Sequence, residues 1–511
     1  MRSIQQVASE LGLGPKDLFT YGDQMAKLRL PPWQAEPGSA RLVLVTAMSP
    51  SPAGEGKTTV AIGLTDALRQ MGARAVVALR EPSMGPVFGK KGGGTGGGRA
   101  QLWPAERINL HFTGDLHAVT SAHNLLAAAL DNHLHFGNAL DLDVRRLTFR
   151  RVMDQNDRAL RQIVVGLGGR QQGIPREDRF DITAASEVMA VLALSRDYAD
   201  LKKRLGRIIV GLNRSGLPVT ASALEVEGAM AALLSDALMP NLAQTIEGTP
   251  ALVHCGPFAN IAHGTSSVVA TRLALQQAEV VVQEAGFGAE LGAEKFLDIF
   301  CRELGRFPNV AVVVATRRAL ALHGSDNLKA HLELLERFGL PTLVALNEME
   351  GDPTDELDFP HVPVRVYQQG GEGALQLARQ VLESGPPAAV RPAYELNASL
   401  ADKISSLATG VYGADGVEYT PRARTQLEEC ASFGYGGAYV CVAKTQSSLS
   451  DDPRRPGRPR GFKLGVRSVY LLGGAGFVVP LCGDIMTMPG LGKHPNYEEI
   501  DLSPDGVITG L

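Results

Sequence analysis

Residues 51–58 have the composition and the setting of a loop that binds phosphate. The segment lies between an apolar run and an apolar helical pattern, and its residues are Ser51, Pro52, Ala53, Gly54, Glu55, Gly56, Lys57 and Thr58. Glycines let backbone N–H groups approach phosphates, and the start of the following helix attracts negative charge. Lys57 would reach the outer phosphates, and Thr58 would help to bind Mg²⁺. Ser51 replaces the first glycine of the strict pattern, so an ordinary strand-to-helix turn is the alternative, but the setting favours a nucleotide site.

A second element with anion-binding chemistry begins at Arg80, which ends the next apolar run. Open α/β sheets place ligands at the carboxyl ends of their strands, and a guanidinium there can bind a carboxylate or a phosphoryl group through two hydrogen bonds. The glycine run at 89–98 follows. It is either a flexible linker or a mobile loop that lines the cleft.

Five of the eleven histidines lie between residues 111 and 135. His111 and His117 flank Asp115, and the three could form an acid/base cluster or a polar loop before a helix. No familiar zinc-binding spacing is present, so metal ligation is the weaker interpretation. The residues alone leave the first two interpretations open.

Seven near-continuous runs of Val, Leu, Ile and Ala indicate the elements that position these side chains. They are residues 41–47, 73–80, 207–213, 250–256, 280–286, 310–316 and 341–347. Such runs are typical of strands in a parallel sheet that is covered on both faces. Helical patterns separate many of them, so the sequence predicts α/β architecture.

The length of 511 residues predicts more than one domain, because a single core rarely grows so large. Residues 1–308 are expected to form a parallel-sheet domain that carries the phosphate loop. A new strand–helix–strand series predicts a second, smaller α/β domain at 309–393. Residues 394–511 open with a helix and end in Gly-rich strands, which predicts a third, C-terminal α/β domain closing over the cleft.

The amino-acid composition limits the classes of partner that the protein is expected to bind. With 50 basic and 54 acidic residues, the formal net charge of -4 offers no general attraction for nucleic acid or anionic membranes. The five cysteines are widely spaced, which favours a reducing, cytoplasmic setting. The N-terminal residues are expected to form an amphipathic helix capped by Ser3 rather than a secretion signal, and no apolar run reaches membrane-spanning length.

Long motifs recur in one order along nearly the whole chain. They are TAMSPSPAGEGKTT, LREPSMGPVFG, INLHFTGDLHAVTSAHNLLAAALDNH, RFDITAASEVMAVLAL, GPFANIAHG, EAGFGAELGAEKF, YGADGVEYTP, LSDDP and GDIMTMPGL. The set resembles the formate tetrahydrofolate ligase family, also called 10-formyltetrahydrofolate synthetase. The resemblance implies ligation of formate to N10 of tetrahydrofolate, with ATP consumed and formyl phosphate as intermediate. The residues are compatible with this, because a carboxylate is its own nucleophile and needs only positioning and charge neutralisation.

The resemblance also assigns residues. Residues 51–58 would cradle ATP, and the family tolerates a residue other than glycine at position 51. Lys57 and Arg80 would stabilise the transferring phosphoryl group, and the motifs expected to line the pocket supply Glu81, Ser83, His111 and Asp115. With Mg²⁺ expected at Thr58, a monovalent cation (K⁺ or NH₄⁺) is expected near Glu284 or another acidic residue. A homotetramer is expected for the assembly.

The folate side departs from the family pattern. Met349 and Tyr367 stand where the family carries a Phe and a Trp that form an aromatic slot. Tyr can stack on a pterin and Met is a soft substitute, so weaker folate affinity is expected. Cys255 replaces a Gly, HGTSS replaces HGCNS, and Ser447 replaces a Tyr. The segment after residue 309 also looks shortened at two connections, where deletions are well tolerated.

Two other functions remain as alternatives. A P-loop ATPase of the partitioning type would act as a switch, but such proteins place a signature lysine early in the loop, where this chain has Pro52 and Ala53. A paralogue that binds folate or nucleotide without catalysis is supported only by the aromatic substitutions. ADP release without formate would favour the switch, and binding without turnover would favour the paralogue.

Overall fold

The computed structural model describes residues 1–31, 36, 38–89, 93–259, 262–353, 355–483 and 485–511. Its strands, in chain order, are β1 (Leu18–Tyr21), β2 (Met25–Leu28), β3 (Arg41–Ala47), β4 (Ala75–Leu79), β5 (Gly96–Gly97), β6 (Ala100–Trp103), β7 (Leu142–Leu147), β8 (Arg151–Met153), β9 (Ile163–Val165), β10 (Arg176–Asp178), β11 (Phe180–Ile182), β12 (Ile209–Asn213), β13 (Pro218–Thr220), β14 (Asn241–Thr245), β15 (Pro250–Val253), β16 (Val280–Glu284), β17 (Val310–Ala315), β18 (Thr342–Asn347), β19 (Val362–Val364), β20 (Gly416–Tyr419), β21 (Tyr439–Val440), β22 (Lys463–Leu472), β23 (Phe477–Cys482), β24 (Asp501–Leu502) and β25 (Ile508–Thr509).

Its α-helices are α1 (Ile4–Glu10), α2 (Lys57–Gln70), α3 (Met84–Phe88), α4 (Ala105–Asn109), α5 (Asp115–His135), α6 (Glu187–Leu194), α7 (Tyr198–Gly206), α8 (Glu227–Leu233), α9 (Val268–Gln277), α10 (Cys301–Leu304), α11 (Arg317–His323), α12 (Ser325–Arg337), α13 (Val366–Gln369), α14 (Leu375–Glu383), α15 (Leu400–Gly410) and α16 (Pro421–Cys430). Ser3 caps α1 in a reciprocal arrangement with Gln6, as the sequence predicts. Within the described ranges, every helix is too short or too polar to cross a lipid bilayer.

A large central sheet organises the fold. Its strand order is β1-β2-β14-β15-β4-β16-β3-β17-β18-β19, with β6 paired to β14 and β5 paired to β6. Neighbouring strands are parallel from β15 to β19, while β1, β2 and β14 add an antiparallel edge. The fold is therefore mixed α/β with a mainly parallel sheet.

Strand β3 shows why the sequence runs are continuously apolar. Leu42 and Leu44 belong to the core on one face of the sheet, and Val43 and Val45 belong to the core on the other face. Helix α9 contributes to the first core and α2 to the second. Successive side chains of a strand point to opposite faces, so a strand covered on both faces must be apolar at every position.

Six of the seven apolar runs supply strands of the central sheet. The run at 207–213 does not, and the expectation that it joins the parallel sheet was wrong. Its strand β12 pairs antiparallel with β13 and β7 in a separate three-stranded sheet. Its residues are as apolar as those of the central strands, so composition alone could not distinguish the two sheets.

The central sheet continues across the boundary expected at residue 308. Strands β17, β18 and β19 come from the segment 309–393 and extend the same sheet beyond β3, so this segment has no sheet of its own. After residue 393, strands β20 to β23 form a separate four-stranded sheet. The division into three domains stays a prediction.

Candidate active site

The phosphate loop, residues 51–58, joins the carboxyl end of β3 to α2, which begins at Lys57. Gly54 and Gly56 have φ of 78° and 70°, which is left-handed backbone that glycine adopts without strain. A Cβ on Gly56 would also lie 2.6 Å from Asn347 Nδ2. Glycine at this position is therefore required both by the turn and by the neighbouring side chain.

Glu55 ties the loop to two neighbouring strand ends. Its buried carboxylate accepts the Ser51 N–H at 2.6 Å and the hydroxyl of Thr316, which follows β17. Its backbone carbonyl accepts a hydrogen bond of 3.1 Å from Asn347 Nδ2 at the end of β18. The loop is thus fixed by groups that strands of the same sheet edge supply.

Lys57 and Thr58 open α2 beside Glu284, the last residue of β16. The Thr58 hydroxyl donates to Glu284 Oε2 at 2.7 Å. Burial lowers the pKa of the Lys57 ammonium, and the carboxylate of Glu284 partly opposes that shift. The Arg80 guanidinium lowers this pKa further, so the two cations lie close enough to repel each other. One cation at a helix start with a second beside it is an arrangement that can bind a multiply charged anion.

Arg80 follows β4 and has weak protein partners. Its Nε lies 3.7 Å from Glu284 Oε1, and its side chain donates to the Pro257 carbonyl at 3.5 Å. A Cβ on Gly286 would lie 3.0 Å from the guanidinium, so the glycine leaves room for it. The Arg80 side chain is 26% exposed, and its hydrogen-bonding capacity is largely free for a ligand.

Glu81 and Asp115 lie in a buried polar cluster. Asp115 begins α5 and accepts hydrogen bonds from Lys27 Nζ at 2.6 Å and from Asn241 Nδ2 at 2.8 Å. Burial, together with the negative charge of Asp115, raises the pKa of the Glu81 carboxyl well above its usual range. The protonated form of Glu81 is therefore favoured in this cluster, and the ammonium of Lys27 lies against the carboxylate of Asp115.

Ser83 is held at the start of α3. Its hydroxyl donates to Asp154 Oδ1 at 2.6 Å, and the Met84 N–H donates to Asp154 Oδ2 at 2.9 Å. Burial raises the pKa of the Asp154 carboxyl. Asp154 thus fixes the turn that follows Arg80 and Glu81.

The histidines of the sequence cluster are not brought together with these groups. His111 and His117 are exposed, in the turn before α5 and in its first turns. The His117 ring lies 3.5 Å from the Ser121 hydroxyl on the same helix. A catalytic role for His111 stays a prediction, and residues 260–261 of the GPFANIAHG motif lie outside the described ranges.

Met349 and Tyr367 follow two adjacent strands, β18 and β19, at the same sheet edge as the phosphate loop. Tyr367 is 46% exposed and Met349 is partly exposed. The Tyr367 ring lies against the glycine hairpin: a Cβ on Gly97 would be 3.2 Å from the ring, and one on Gly98 would overlap the Tyr367 carbonyl. Gly97 and Gly98 of the glycine run thus pack on Tyr367, while residues 90–92 lie outside the described ranges.

Several residues that build this site were not predicted. Thr316 and Asn347 fix the phosphate loop, and Lys27 and Asn241 hold Asp115. The only sequence signal was position, since Thr316 and Asn347 each end an apolar run. Lys27 lies within the short strand β2 and is completely buried, which marks a lysine that needs an acidic partner.

Comparison with known proteins places the chain among ligases. A family model described as formate–tetrahydrofolate ligase matches residues 1–511. A curated formate–tetrahydrofolate ligase of Symbiobacterium thermophilum is 53% identical over 544 aligned positions, which cover 100% of this chain and 98% of the relative. The alignment is longer than the 511-residue chain, so the relative has residues that this chain lacks.

Proposed function

The chain belongs to the formate–tetrahydrofolate ligase family and joins formate to tetrahydrofolate with ATP as a further substrate, and from this we propose that formate is activated as formyl phosphate at the phosphate loop. The observation that carries the proposal is the convergence of Lys57 and Arg80 at the start of α2. Among the described residues, Lys57 has no salt-bridge partner and Arg80 has only the Glu284 carboxylate at 3.7 Å, so both can bind the anionic phosphoryl group.

Two displacements complete the reaction. A formate oxygen attacks the γ-phosphorus, the bond from phosphorus to the ADP oxygen breaks, and ADP leaves. N10 of tetrahydrofolate then attacks the formyl carbon, the carbon–oxygen bond to phosphate breaks, phosphate leaves and the N10 proton passes to water. Lys57 and Arg80 stabilise charge on the phosphoryl oxygens, and the backbone N–H groups at the start of α2 hold the remaining phosphates.

Thr58 and Glu284 fit a magnesium ion. Their oxygens lie 2.7 Å apart, and a hydroxyl and a carboxylate are hard oxygen donors of the kind Mg²⁺ prefers. When bound, the ion neutralises charge on the phosphate oxygens. The sheet-edge placement of Met349 and Tyr367 supports a folate slot beside this position, with Tyr367 stacking on the pterin.

The intermediate is tested with formate that carries two ¹⁸O atoms. If formyl phosphate forms, one ¹⁸O appears in inorganic phosphate for each 10-formyltetrahydrofolate produced. Phosphate free of the label would contradict the mechanism. In Arg80→Ala, formation of both products is expected to fall to background, with Arg80→Lys partly active because it keeps the charge but loses the two-pronged geometry. Near wild-type turnover in Arg80→Ala would contradict the assignment.

Three further features belong to the same proposal. Activity that is unchanged when K⁺ is replaced by a bulky organic cation would contradict the monovalent-cation site. The homotetramer is tested by light scattering of the purified chain. A cytoplasmic location remains the expectation from the cysteine pattern.

A further inference from the structure

The residues that precede the phosphate loop contact side chains from two helices. The Ser49 N–H donates to Asn327 Oδ1 at 3.2 Å, and Asn327 Nδ2 donates back to the Ser49 hydroxyl at 3.0 Å. The Pro50 carbonyl lies 3.2 Å from His323 Nε2. His323 ends α11 and Asn327 lies in the first turns of α12. Neither residue belongs to the loop itself.

The same two side chains also contact the C-terminal segment. Asn327 Nδ2 donates to the Gly457 carbonyl at 2.8 Å, and the Gly457 N–H donates to His323 Nδ1 at 3.4 Å. His323 therefore carries its ring proton on Nε2 and donates it to the Pro50 carbonyl. The carbonyl of Gly457 is thus connected through Asn327 to Ser49, and the N–H of Gly457 is connected through His323 to Pro50. Both groups of this glycine therefore reach the residues that precede the phosphate loop.

A third connection is completely buried. The Ser49 hydroxyl lies 3.2 Å from His331 Nε2, His331 Nδ1 lies 3.6 Å from Glu290 Oε2, and Lys444 Nζ lies 3.7 Å from Glu290 Oε1. The Ser49 hydroxyl accepts from Asn327 and still has its own proton, which it can donate to His331 Nε2 when the ring proton is on Nδ1, the nitrogen that faces Glu290. Burial lowers the pKa of His331 to about 4, so the ring is neutral.

Lys444 adds two backbone contacts within its own segment. Its ammonium donates to the Ser448 carbonyl at 2.5 Å and to the Thr445 carbonyl at 3.1 Å. Residues 444–457, here named the brace, therefore have a buried cation near one end and Gly457 at the other. Both ends reach Ser49 or Pro50 through intervening side chains.

We propose that the brace positions the phosphate loop for ATP, with His323, Asn327 and His331 as positioning residues. Six residues lie between Ser49 and Gly56 along the chain, yet the entry of the loop is fixed by hydrogen bonds from outside it. Since a loop that must hold several phosphates at once loses affinity when its entry point shifts, loosening the brace lowers ATP binding without touching the reacting atoms. The inference rests on the proposed placement of ATP at residues 51–58.

Two glycines of the C-terminal segment provide a matched test. Gly457 and Gly461 have φ of 76° and 65°, so alanine is strained at both positions. A Cβ on Gly457 would lie 3.1 Å from the His323 carbonyl, whereas a Cβ on Gly461 would meet no atom within 4 Å. Gly457→Ala is expected to raise KM for ATP about tenfold, the factor that about 1.4 kcal/mol produces. Gly461→Ala is expected to leave it near the wild-type value.

In a second pair of variants, each substitution removes one hydroxyl group. Ser49→Ala loses the bonds to Asn327 and His331, while Thr46→Val removes a fully buried hydroxyl on β3 that has no hydrogen-bond partner among the described residues. Ser49→Ala is expected to raise KM for ATP several-fold, with KM for formate and tetrahydrofolate unchanged. A general loss of stability would instead affect kcat and all three KM values in both variants of a pair.

The outcomes of these measurements distinguish failure of the proposed role of the brace from failure of the proposed ATP site. Equal KM values for ATP within both pairs would overturn the role of the brace. ADP binding to Lys57→Met, measured by calorimetry, tests the phosphate loop itself. Wild-type ADP affinity in Lys57→Met would overturn the placement of ATP, whereas loss of ADP affinity there, together with equal KM values in the pairs, would remove the brace alone.

Discussion

Glu187 is expected to make folding sensitive to pH at the junction between α6 and the C-terminal sheet. It is the first residue of α6, is 7% exposed, and its Oε1 accepts the Gly474 N–H at 2.7 Å. A second N–H, that of Ala475, reaches the same oxygen at 3.4 Å. Burial raises the pKa of this carboxyl to about 8 despite these hydrogen bonds.

The direction of this pH dependence follows from the number of protons bound in the folded and the unfolded state. The folded chain keeps the Glu187 proton up to about pH 8, whereas the unfolded chain loses it near its ordinary pKa of 4.5. The unfolded state therefore binds fewer protons between these values, and the free energy of unfolding falls as pH rises. The slope is about 1.4 kcal/mol per pH unit, so the contribution of Glu187 falls by roughly 2–3 kcal/mol between pH 5.5 and pH 7.5.

Glu187→Gln isolates this contribution, because the amide oxygen can still accept from Gly474 but does not titrate. Unfolding by guanidinium chloride is measured for both proteins at pH 5.5 and pH 7.5. Other buried carboxyls with a raised pKa, such as Asp66 and Asp298 at about 7, are present in both proteins and cancel. The variant is expected to lose about 2–3 kcal/mol less than the wild type over this interval. An equal loss in both proteins would refute a protonated Glu187 at neutral pH.

Three further predictions concern the active site. Thr58→Val removes the hydrogen bond to the buried Glu284 carboxylate and is expected to cost about 1.5–3 kcal/mol in kcat/KM for ATP. Thr58→Ser keeps the hydroxyl and should retain most of the activity. Equal losses in the two variants would show that the hydroxyl does not contribute. Cys255 has φ of 55°, so Cys255→Gly should stay within about 1 kcal/mol of wild-type stability, whereas Cys255→Val should lose about 1–3 kcal/mol in chemical unfolding; similar stabilities would argue against strain. Tyr367→Ala should raise KM for tetrahydrofolate about two- to tenfold, on the scale of one aromatic contact, while Tyr367→Phe keeps it; an unchanged value in Tyr367→Ala would place the pterin elsewhere.

Cys255 shows how the structure explains a departure from the family that the sequence could only record. The family favours glycine at this position, and the left-handed backbone found here supplies the reason. The Cys255 carbonyl accepts the Glu81 N–H at 2.7 Å, so the turn aligns a residue beside the proposed site. A buried cysteine therefore occupies a conformation that its side chain disfavours, and the hydrogen bond helps to hold it there.

The sequence predicted those features that depend on local pattern. The apolar run of β3, the glycine turn and the start of α2 follow one another in the chain, so their order alone placed Lys57 at a helix start beside a strand end. Arg80 was also placed at a strand end, directly after β4. The contact between Thr58 and Glu284 depends on β16 lying next to β3, and strand order is a property of the whole sheet that no local pattern contains.

Side-chain connections between distant segments were beyond prediction for the same reason. His323 and Asn327 occur in an ordinary amphipathic stretch, and nothing in that stretch indicates contact with Ser49 or with Gly457. Such residues become visible only when the fold brings three segments of the chain together. The continuation of the central sheet through β17 to β19 does this, because α11 and α12 follow β17 directly.

Pairing, rather than residue type, separates the cations that maintain the fold from those that can bind substrate. Lys27 is completely buried and bonds Asp115 at 2.6 Å, so its charge is neutralised within the protein. Arg80 has its nearest carboxylate at 3.7 Å, and among the described residues Lys57 has no salt-bridge partner. A weakly paired cation in a partly buried position is costly, and an anionic ligand would remove that cost on binding. Under the proposed function, Lys57 and Arg80 would therefore supply binding energy that the protein alone leaves unused.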